Sequence, residues 1–348
     1  MYIKNELSKN VYDLALKCGY DKCGIINIDE TSEYKEYLDA RMNNLPETKP
    51  FYKNYYRFAE MRKKYPWAKS IIICGYWYGK YKVPEELKYC YGRSYLMDAR
   101  RDKNCDEYKA RCDFEEGLNK KGLKFHGDRF NDITAFRISA YKAGLGIIRK
   151  NNFFYTEKGS WIYWDAWVVE DDMEVICDTK VKPCPDNCNR CQNACATHTL
   201  CSANTMNPYK CSAFVNSLNS DDLINNPIAR DMKQWIYGCD DCQNACIYNS
   251  KTEETEEFPN LNDIKKYLTP DAILRSDYNV LKEIVQPKFW YIEEDELWKF
   301  KVNALNAINN MKELSDDYNE LISIAKDDRY KEVRDMAEWV CKCQESNR

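Results

Sequence analysis

Two hydrophobic patterns alternate along the first part of the chain. Residues 5–19 carry apolar side chains at helical spacing and end in glycine, which predicts a helix. Residues 24–28, 70–76 and 161–169 are nearly continuous apolar runs, which predict buried strands. Helical patterns at 97–121 and 133–143 lie between these runs. Because helices and buried strands interleave, we expect an α/β domain over residues 1–180.

The last part of the chain, residues 251–348, is charged and helical in pattern. Three groups of apolar residues recur there at helical spacing: Val302, Leu305, Ile308 and Met311; Leu321, Ile322 and Ile324; Val333, Met336, Ala337 and Val340. The spacing predicts an all-α tail of two or three stacked helices. A short helical repeat and an ordinary helical cap fit the periodicity equally well.

Between these regions, residues 181–250 are rich in Cys, Asn and Asp and poor in apolar residues. Such a segment has little material for a hydrophobic core of its own. Metal binding can supply folding free energy in its place. We therefore expect a separate metal-binding module here.

The cysteines of this module stand in two dense runs. The first run holds Cys184, Cys188, Cys191 and Cys195; a lone Cys211 follows; the second run holds Cys239, Cys242 and Cys246. Runs that end in C-x-x-C-x-x-x-C are typical of ferredoxin-like modules with two 4Fe-4S clusters, where the last cysteine of a run binds the other cluster. The pattern predicts one cluster on Cys184, Cys188, Cys191 and Cys246, and a second on Cys195, Cys211, Cys239 and Cys242.

Other uses of 18 cysteines fit the pattern less well. Disulfide scaffolds are typically short secreted chains. Structural zinc usually uses paired C-x-x-C hooks, often with histidine, and the chain has only His126 and His198. Cys201 is a spare that could replace Cys211, but it lies only six residues after Cys195.

Composition narrows the class of protein. The chain has 348 residues, 44% of them hydrophobic, and a net charge of −4. That balance lacks the basic footprint of most nucleic-acid-binding proteins. No run approaches the roughly 18 apolar residues that a membrane span needs. We expect a cytoplasmic protein without a membrane partner, and dense thiols agree with a reducing compartment.

No G-x-G-x-x-G motif follows a predicted strand, so a dinucleotide-binding fold is not supported. The short sequence Gly144-Leu145-Gly146 is by itself typical of a helix end followed by a turn.

Several segments together resemble the epoxyqueuosine reductase family, which is related to reductive dehalogenases. The matching segments are residues 19–25, 66–73, 143–151, 159–161, 236–243 and 301–307. The most specific is Ile236-Tyr237-Gly238-Cys239-Asp240-Asp241-Cys242-Gln243, which is nearly identical to the family sequence. Residues 143–151 match the family pattern A-G-L-G-x-x-G-K-x, except that Arg149 replaces a glycine.

The resemblance implies a fold and a mechanism. It implies an α/β reductase domain over 1–180, a double-cluster module over 181–250 and a HEAT-like tail over 251–348. A low-potential donor such as ferredoxin or flavodoxin would reduce the outer cluster. The inner cluster would pass electrons to a cobalamin whose Co(I) form attacks a small molecule or a modified nucleoside in tRNA. Four residues of the matched turn would contact the corrinoid: Gly144, Gly146, Lys150 and Asn151.

The chain also departs from the family pattern. The family helix opens with Asp-x-x-Pro-x-x-Glu-Arg, and its aspartate is thought to donate a proton. Here Phe130 stands at the aspartate position, while Asp128 and Asp132 lie two residues to either side. Either could donate the proton if burial raised its pKa, and ordinary loop and helix-capping roles fit both equally well. The altered helix also leaves open an alternative function, a corrinoid-free electron-transfer protein with two clusters.

Overall fold

The structure is a computed structural model, and it describes residues 1–97, 105–127, 133–217, 223–250, 252–311 and 317–346. The described strands, in chain order, are β1 (Tyr2–Ile3), β2 (Lys22–Asn27), β3 (Ser70–Trp77), β4 (Tyr81–Lys82), β5 (Phe125–Gly127), β6 (Ile147–Ile148), β7 (Phe154–Tyr155), β8 (Ile162–Val169), β9 (Val175–Ile176) and β10 (Glu256–Glu257). Six of them form one sheet in the order β1-β9-β2-β3-β8-β5. All the pairings described within this sheet are antiparallel.

Helices flank this sheet and precede the cysteine-rich segment. In chain order they are α1 (Glu6–Lys17), α2 (Tyr34–Asn44), α3 (Lys49–Lys53), α4 (Met61–Lys64), α5 (Asp106–Lys120) and α6 (Phe136–Lys142). The predicted helix at 5–19 is confirmed, and the Asn5 side chain caps it by accepting from the Ser8 N–H at 2.8 Å. The predicted helix at 97–121 is confirmed from Asp106 onward, and residues 98–104 lie outside the described part.

The continuous apolar runs of β3 and β8 are explained by burial of both faces of the sheet. On one face, Ile72 and Trp167 pack with residues of α1 and α5. On the other face, Ile71 and Val168 pack with residues of α6. Since neither face of these strands meets water, they do not alternate between apolar and polar residues. The mixed α/β character expected from the sequence is confirmed.

The described α-helices of the cysteine-rich segment are all short. They are α7 (Arg190–Ala194), α8 (Ser212–Val215) and α9 (Asp241–Asn244). Helices α7 and α9 pack against each other. Each begins one residue before the same five-residue sequence, Cys-Gln-Asn-Ala-Cys, which stands at 191–195 and at 242–246. Their contact brings the ends of the two cysteine runs together.

The tail is helical, as the periodicity predicts. Its described α-helices are α10 (Leu261–Ile264), α11 (Pro270–Arg275), α12 (Tyr278–Val280), α13 (Trp298–Asn309), α14 (Tyr318–Lys326) and α15 (Lys331–Ser346), with a π-helical turn at Leu281–Val285. Apolar residues of the tail share one core with Val215, Leu223, Ile228 and Tyr237 of the cysteine-rich segment and with apolar residues of 78–97. Whether the tail is a HEAT-like domain, and where the domains divide, stays a prediction.

Two asparagines of α13 and a third directly after it attach this helix to the cysteine-rich segment. Asn303 donates to the carbonyls of Asn216 and Ile236 at 2.6 and 3.1 Å. Asn306 and Asn310 both donate to the carbonyl of Ala229, at 2.9 and 3.0 Å. These amides satisfy carbonyls of the chain that leads into the second cysteine run, so the helix supports that run.

No described helix is long and apolar enough to cross a membrane.

Candidate active site: two cysteine groups beside a large cavity

Four cysteines from both runs surround one small cavity. Its walls include Cys184, Cys188 and Cys191 of the first run and Cys246 of the second. Burial raises the pKa of the Cys191 thiol, and the proximity of Cys184 and Cys246 raises it further. The first cysteine group, as we call these four, is the set that the crossed pattern predicts for one cluster.

The other four cysteines lie in the wall of a much larger cavity, of about 690 Å³. They are Cys195, Cys211, Cys239 and Cys242, which we call the second cysteine group. Burial raises the pKa of the Cys211, Cys239 and Cys242 thiols. Cys242 packs against a buried cluster that contains Cys191 of the first group, so the two groups are neighbours.

The spare Cys201 belongs to neither group. Its side chain is exposed and its Sγ lies 3.4 Å from the carbonyl oxygen of Thr199. It lines neither of the two cavities. The placement favours Cys211 over Cys201 as the fourth ligand of the second group.

Within the described residues, no group of three or more His, Cys, Asp or Glu side chains is arranged to hold a single metal ion. Thiolates of a cubane cluster bind different iron atoms around a larger core, so they stand further apart than the ligands of one tetrahedral zinc. Iron–sulfur ligation by these cysteines therefore stays a prediction.

The turn between β6 and β7, which pair with each other outside the six-stranded sheet, contacts both cysteine groups. The Lys150 ammonium donates to the carbonyls of Pro185, Asp186 and Cys188 at 3.1, 2.8 and 3.1 Å. The Asn151 amide donates to the Cys242 carbonyl at 3.2 Å. Lys150 thus closes the loop of the first group, while Asn151 holds the second and lines both cavities.

The two glycines of this segment have a backbone role. Gly144 has a φ of +67°, and a Cβ there would stand 2.1 Å from the carbonyl oxygen of Cys177. A Cβ at Gly146 would stand 2.1 Å from the carbonyl oxygen of Tyr155. Neither glycine lines the large cavity. Close backbone approach accounts for both, and their contact with a corrinoid stays a prediction.

A buried polar network holds the second run against the sheet. The Ser160 hydroxyl donates to Gln243 Oε1 at 2.9 Å and accepts from Asn249 Nδ2 at 2.8 Å. The Ser160 N–H donates to Asn249 Oδ1 at 2.9 Å. Gln243 is part of α9, between Cys242 and Cys246, so this network fixes cysteines of both groups relative to β8.

Two arginines give the large cavity a positive wall. Arg41 donates to Asn152 Oδ1 at 2.7 Å, and Arg137 donates to the Asn152 carbonyl. Desolvation by the surrounding protein lowers the pKa of Arg137, although the residue is exposed where it lines the cavity, and the nearby charge of Arg41 lowers it further. Among the described residues, neither arginine forms an ion pair with a carboxylate. The wall therefore suits an anionic group of a ligand.

Aromatic and apolar side chains form most of the remaining wall, including Tyr34, Tyr55, Phe58, Phe153, Trp164 and Tyr291. Residues of α2 and α3 contribute to a layer over the cavity. In this layer Phe51 packs edge-on against Phe214, with ring centroids 5.4 Å apart, and the Tyr52 hydroxyl donates to the Met206 carbonyl at 3.3 Å. The layer links the first part of the chain to the cysteine-rich segment.

The two candidate proton donors, Asp128 and Asp132, lie outside the described residues. Ile133 is the next described residue, and the residues from Thr134 to Ile138 line the large cavity. The roles of Asp128 and Asp132 stay predictions.

Sequence reasoning missed the arginine and tyrosine wall of the large cavity. Residues 31–66 are rich in tyrosine but have weak periodicity, so nothing in their pattern indicates what they face. Arg149 is visible in the sequence as a departure from the family pattern, but the pattern attaches no role to it.

Comparison with known proteins places these features in context. No protein-family model matches the chain. An epoxyqueuosine reductase of Leadbetterella byssophila is 28% identical over 278 residues, which are 74% of this chain and 85% of that protein. One from Cyclobacterium marinum is 26% identical over 265 residues, 72% of this chain and 83% of that protein.

Solved structures of epoxyqueuosine reductases share the fold. The Streptococcus thermophilus structure superposes with a TM-score of 0.75 at 19% identity, covering 97% of this chain and 90% of that one. A structure with an epoxyqueuosine-modified tRNA-Tyr stem loop superposes with a TM-score of 0.70 at 16% identity, covering 98% and 99%.

Proposed function

We propose that this chain, which belongs to the epoxyqueuosine reductase family as a divergent member, passes electrons through two 4Fe-4S clusters to a substrate in the large cavity. The reaction class, an oxidoreductase, follows from the family. The observation that carries the electron path is the division of eight cysteines into two neighbouring groups, of which only the second lines the large cavity. The first group is therefore proposed as the outer cluster site and the second as the inner one.

The residues around the cysteine groups fit such clusters. Each group supplies four sulfur donors, the number that a cubane requires. Arg149 is a buried cation beside the first group, where an anionic thiolate cluster would balance its charge. When bound, each cluster supplies one electron at a time.

The large cavity is proposed as the corrinoid and substrate site. Its 690 Å³ lies within the range of small-molecule sites, about 300–1,000 Å³. Aromatic walls suit a large organic ring, and Arg41 and Arg137 suit a phosphate of a corrinoid tail or of a nucleotide. The corrinoid, when bound, supplies a strongly nucleophilic reducing centre. The role of the chain is to hold the cofactor beside the second cysteine group and to exclude water.

The proposed substrate is a modified nucleoside in tRNA, and a small reducible molecule is the broader possibility. The relatives are named for epoxyqueuosine, and a structural neighbour was solved with an epoxyqueuosine-modified tRNA stem loop. Reduction of an epoxide to an alkene consumes two electrons and two protons and releases the oxygen as water. The chain carries a net charge of −4, so we assign RNA contact to local positive walls such as Arg41 and Arg137.

The proposed donor is a low-potential electron carrier such as ferredoxin or flavodoxin. Ile247, which lines the first group's cavity, is 40% exposed. A carrier that docks there would come close to the first cluster without entering the large cavity.

Metal and corrinoid analysis after anaerobic reconstitution tests this function. We expect about eight irons per chain and retention of hydroxocobalamin through gel filtration. A protein with eight irons that releases the corrinoid would be the corrinoid-free electron-transfer protein instead. A colourless zinc protein would exclude both functions.

The proton donor is tested by two matched variants, Asp128→Asn and Asp132→Asn. Loss of a general acid typically slows turnover by about 10²- to 10⁴-fold. We expect this loss in one variant and near-normal turnover in the other, measured with an epoxyqueuosine-containing tRNA stem loop. Each variant controls for the other because the two carboxylates are close in sequence. If both variants keep the parent rate, neither aspartate donates the proton.

A further inference from the structure

Arg149 occupies a buried position beside the first cysteine group. It follows β6 and begins the turn to β7, where the pattern of residues 143–151 would have glycine. Its backbone N–H donates to the Phe153 carbonyl at 3.0 Å, and its own carbonyl accepts from Asn204 Nδ2 at 2.8 Å. Only 3% of the residue is exposed. The backbone is thus fixed, and the side chain points into the protein.

The guanidinium of Arg149 contacts a sulfur and two aromatic rings. Its Nη1 donates to Cys184 Sγ at 3.7 Å. Its Cζ lies 3.4 Å from the ring centroid of Tyr248 and 5.0 Å from that of Tyr155. The rings hold the cation by their electron-rich faces, while the donor group is aimed at a predicted cluster ligand.

The charge of this guanidinium has no anionic partner within the described part of the chain. No carboxylate there forms an ion pair with Arg149, and its Nε has no hydrogen-bond partner. An unpaired buried cation costs several kcal/mol of stability in general. A thiolate-bound cluster in the adjacent cavity would supply both the negative charge and sulfur acceptors.

A cation and an N–H···S hydrogen bond stabilise the more negative, reduced form of a cluster. Both therefore raise its reduction potential. Among the described residues, Cys184 is the cluster cysteine that accepts a hydrogen bond from a guanidinium. Arg149 should therefore raise the reduction potential of the first cluster and leave that of the second unchanged.

We propose that Arg149 is a positioning residue that raises the reduction potential of the first cluster. The inference rests on the proposed function, since it requires a cluster on Cys184, Cys188, Cys191 and Cys246. The consequence is that the first cluster accepts an electron from a less strongly reducing donor than it would with the glycine of the family pattern at position 149.

Potentiometric titration of the anaerobically reconstituted full-length protein, followed by EPR, tests the proposal. The parent is compared with Arg149→Gln, Arg149→Lys and the control Arg190→Gln. Arg190 lines the same small cavity but is exposed, so solvent screens its charge. In Arg149→Gln we expect one reduction step to move to lower potential by about 59 mV, a tenfold change in its equilibrium constant. The other step should stay in place, and Arg190→Gln should move neither step by a comparable amount.

Iron analysis separates failure of the inference from failure of the function. A parent protein without iron–sulfur clusters overturns both. Clusters in the parent and in Arg149→Gln with unchanged potentials, or with equal shifts of both steps, overturn the inference alone. If Arg149→Gln assembles only one cluster, the reduction potentials of Arg149→Lys test the inference instead. This variant keeps the charge but loses the planar donor, so we expect a smaller fall in the same step, and an unchanged step would contradict the proposal.

Discussion

A Cys211→Ser variant is expected to lose the second cluster and with it reductive turnover. Cys211 lies in the wall of the large cavity with the three other cysteines of the second group. Serine has no thiolate to bind iron, so the iron content should fall from about eight to about four per chain. Because the second group separates the first from the large cavity, electrons would no longer reach the substrate. Iron and sulfide analysis combined with a turnover assay measures both losses.

Cys201→Ser is the matched control for this experiment. Cys201 lies ten residues before Cys211 in the sequence, but its side chain is exposed and lines neither cavity. This variant should keep the parent iron content and turnover. The reverse result, loss of iron in Cys201→Ser and retention in Cys211→Ser, would identify Cys201 as the ligand in place of Cys211. Equal iron in both variants and the parent would contradict ligation by either cysteine.

The central strands could be predicted from the sequence because their burial leaves a local signature. The apolar runs at 70–76 and 161–169 correspond to β3 (Ser70–Trp77) and β8 (Ile162–Val169), which pair with each other. Both strands are covered on both faces, so the runs are apolar enough to see without knowledge of the fold. The helices of the tail were visible because their apolar residues recur at helical spacing: α14 and α15 bury mainly one face, while α13 is buried continuously from Lys299 to Ile308.

The cavity wall could not be predicted because it depends on contacts between distant segments. Arg41 and Arg137 both donate to Asn152, which lies 111 and 15 residues away from them in the sequence. The layer at 31–66 combines short helices with side chains that pack on residues 206–214. No local period marks such a surface. The division of the cysteines between two cavities could be anticipated because cysteine spacing is itself a local pattern, while their ligation of iron stays a prediction.

Gly144 is predicted to contact a corrinoid, but its close approach to the Cys177 backbone could by itself explain why glycine stands there. A substitution distinguishes these two explanations. In Gly144→Ala, the new Cβ would stand 2.1 Å from the Cys177 carbonyl oxygen at a φ of +67°. The left-handed backbone costs about 1–2 kcal/mol for alanine. The clash is with backbone that cannot rotate away, so we expect a total loss of at least about 3 kcal/mol of stability. Thermal and denaturant unfolding measure the loss.

Gly122→Ala supplies the control for backbone strain. Gly122 has nearly the same φ, +70°, but nothing lies within 4 Å of the position that a Cβ would take there. This variant should lose only the backbone cost of about 1–2 kcal/mol. The difference between the two variants then isolates the close approach of Gly144 to Cys177. If Gly144→Ala unfolds like Gly122→Ala yet no longer retains hydroxocobalamin, the glycine serves the corrinoid. If it is strongly destabilised, the turn acts by placing Lys150 and Asn151 against the cysteine groups.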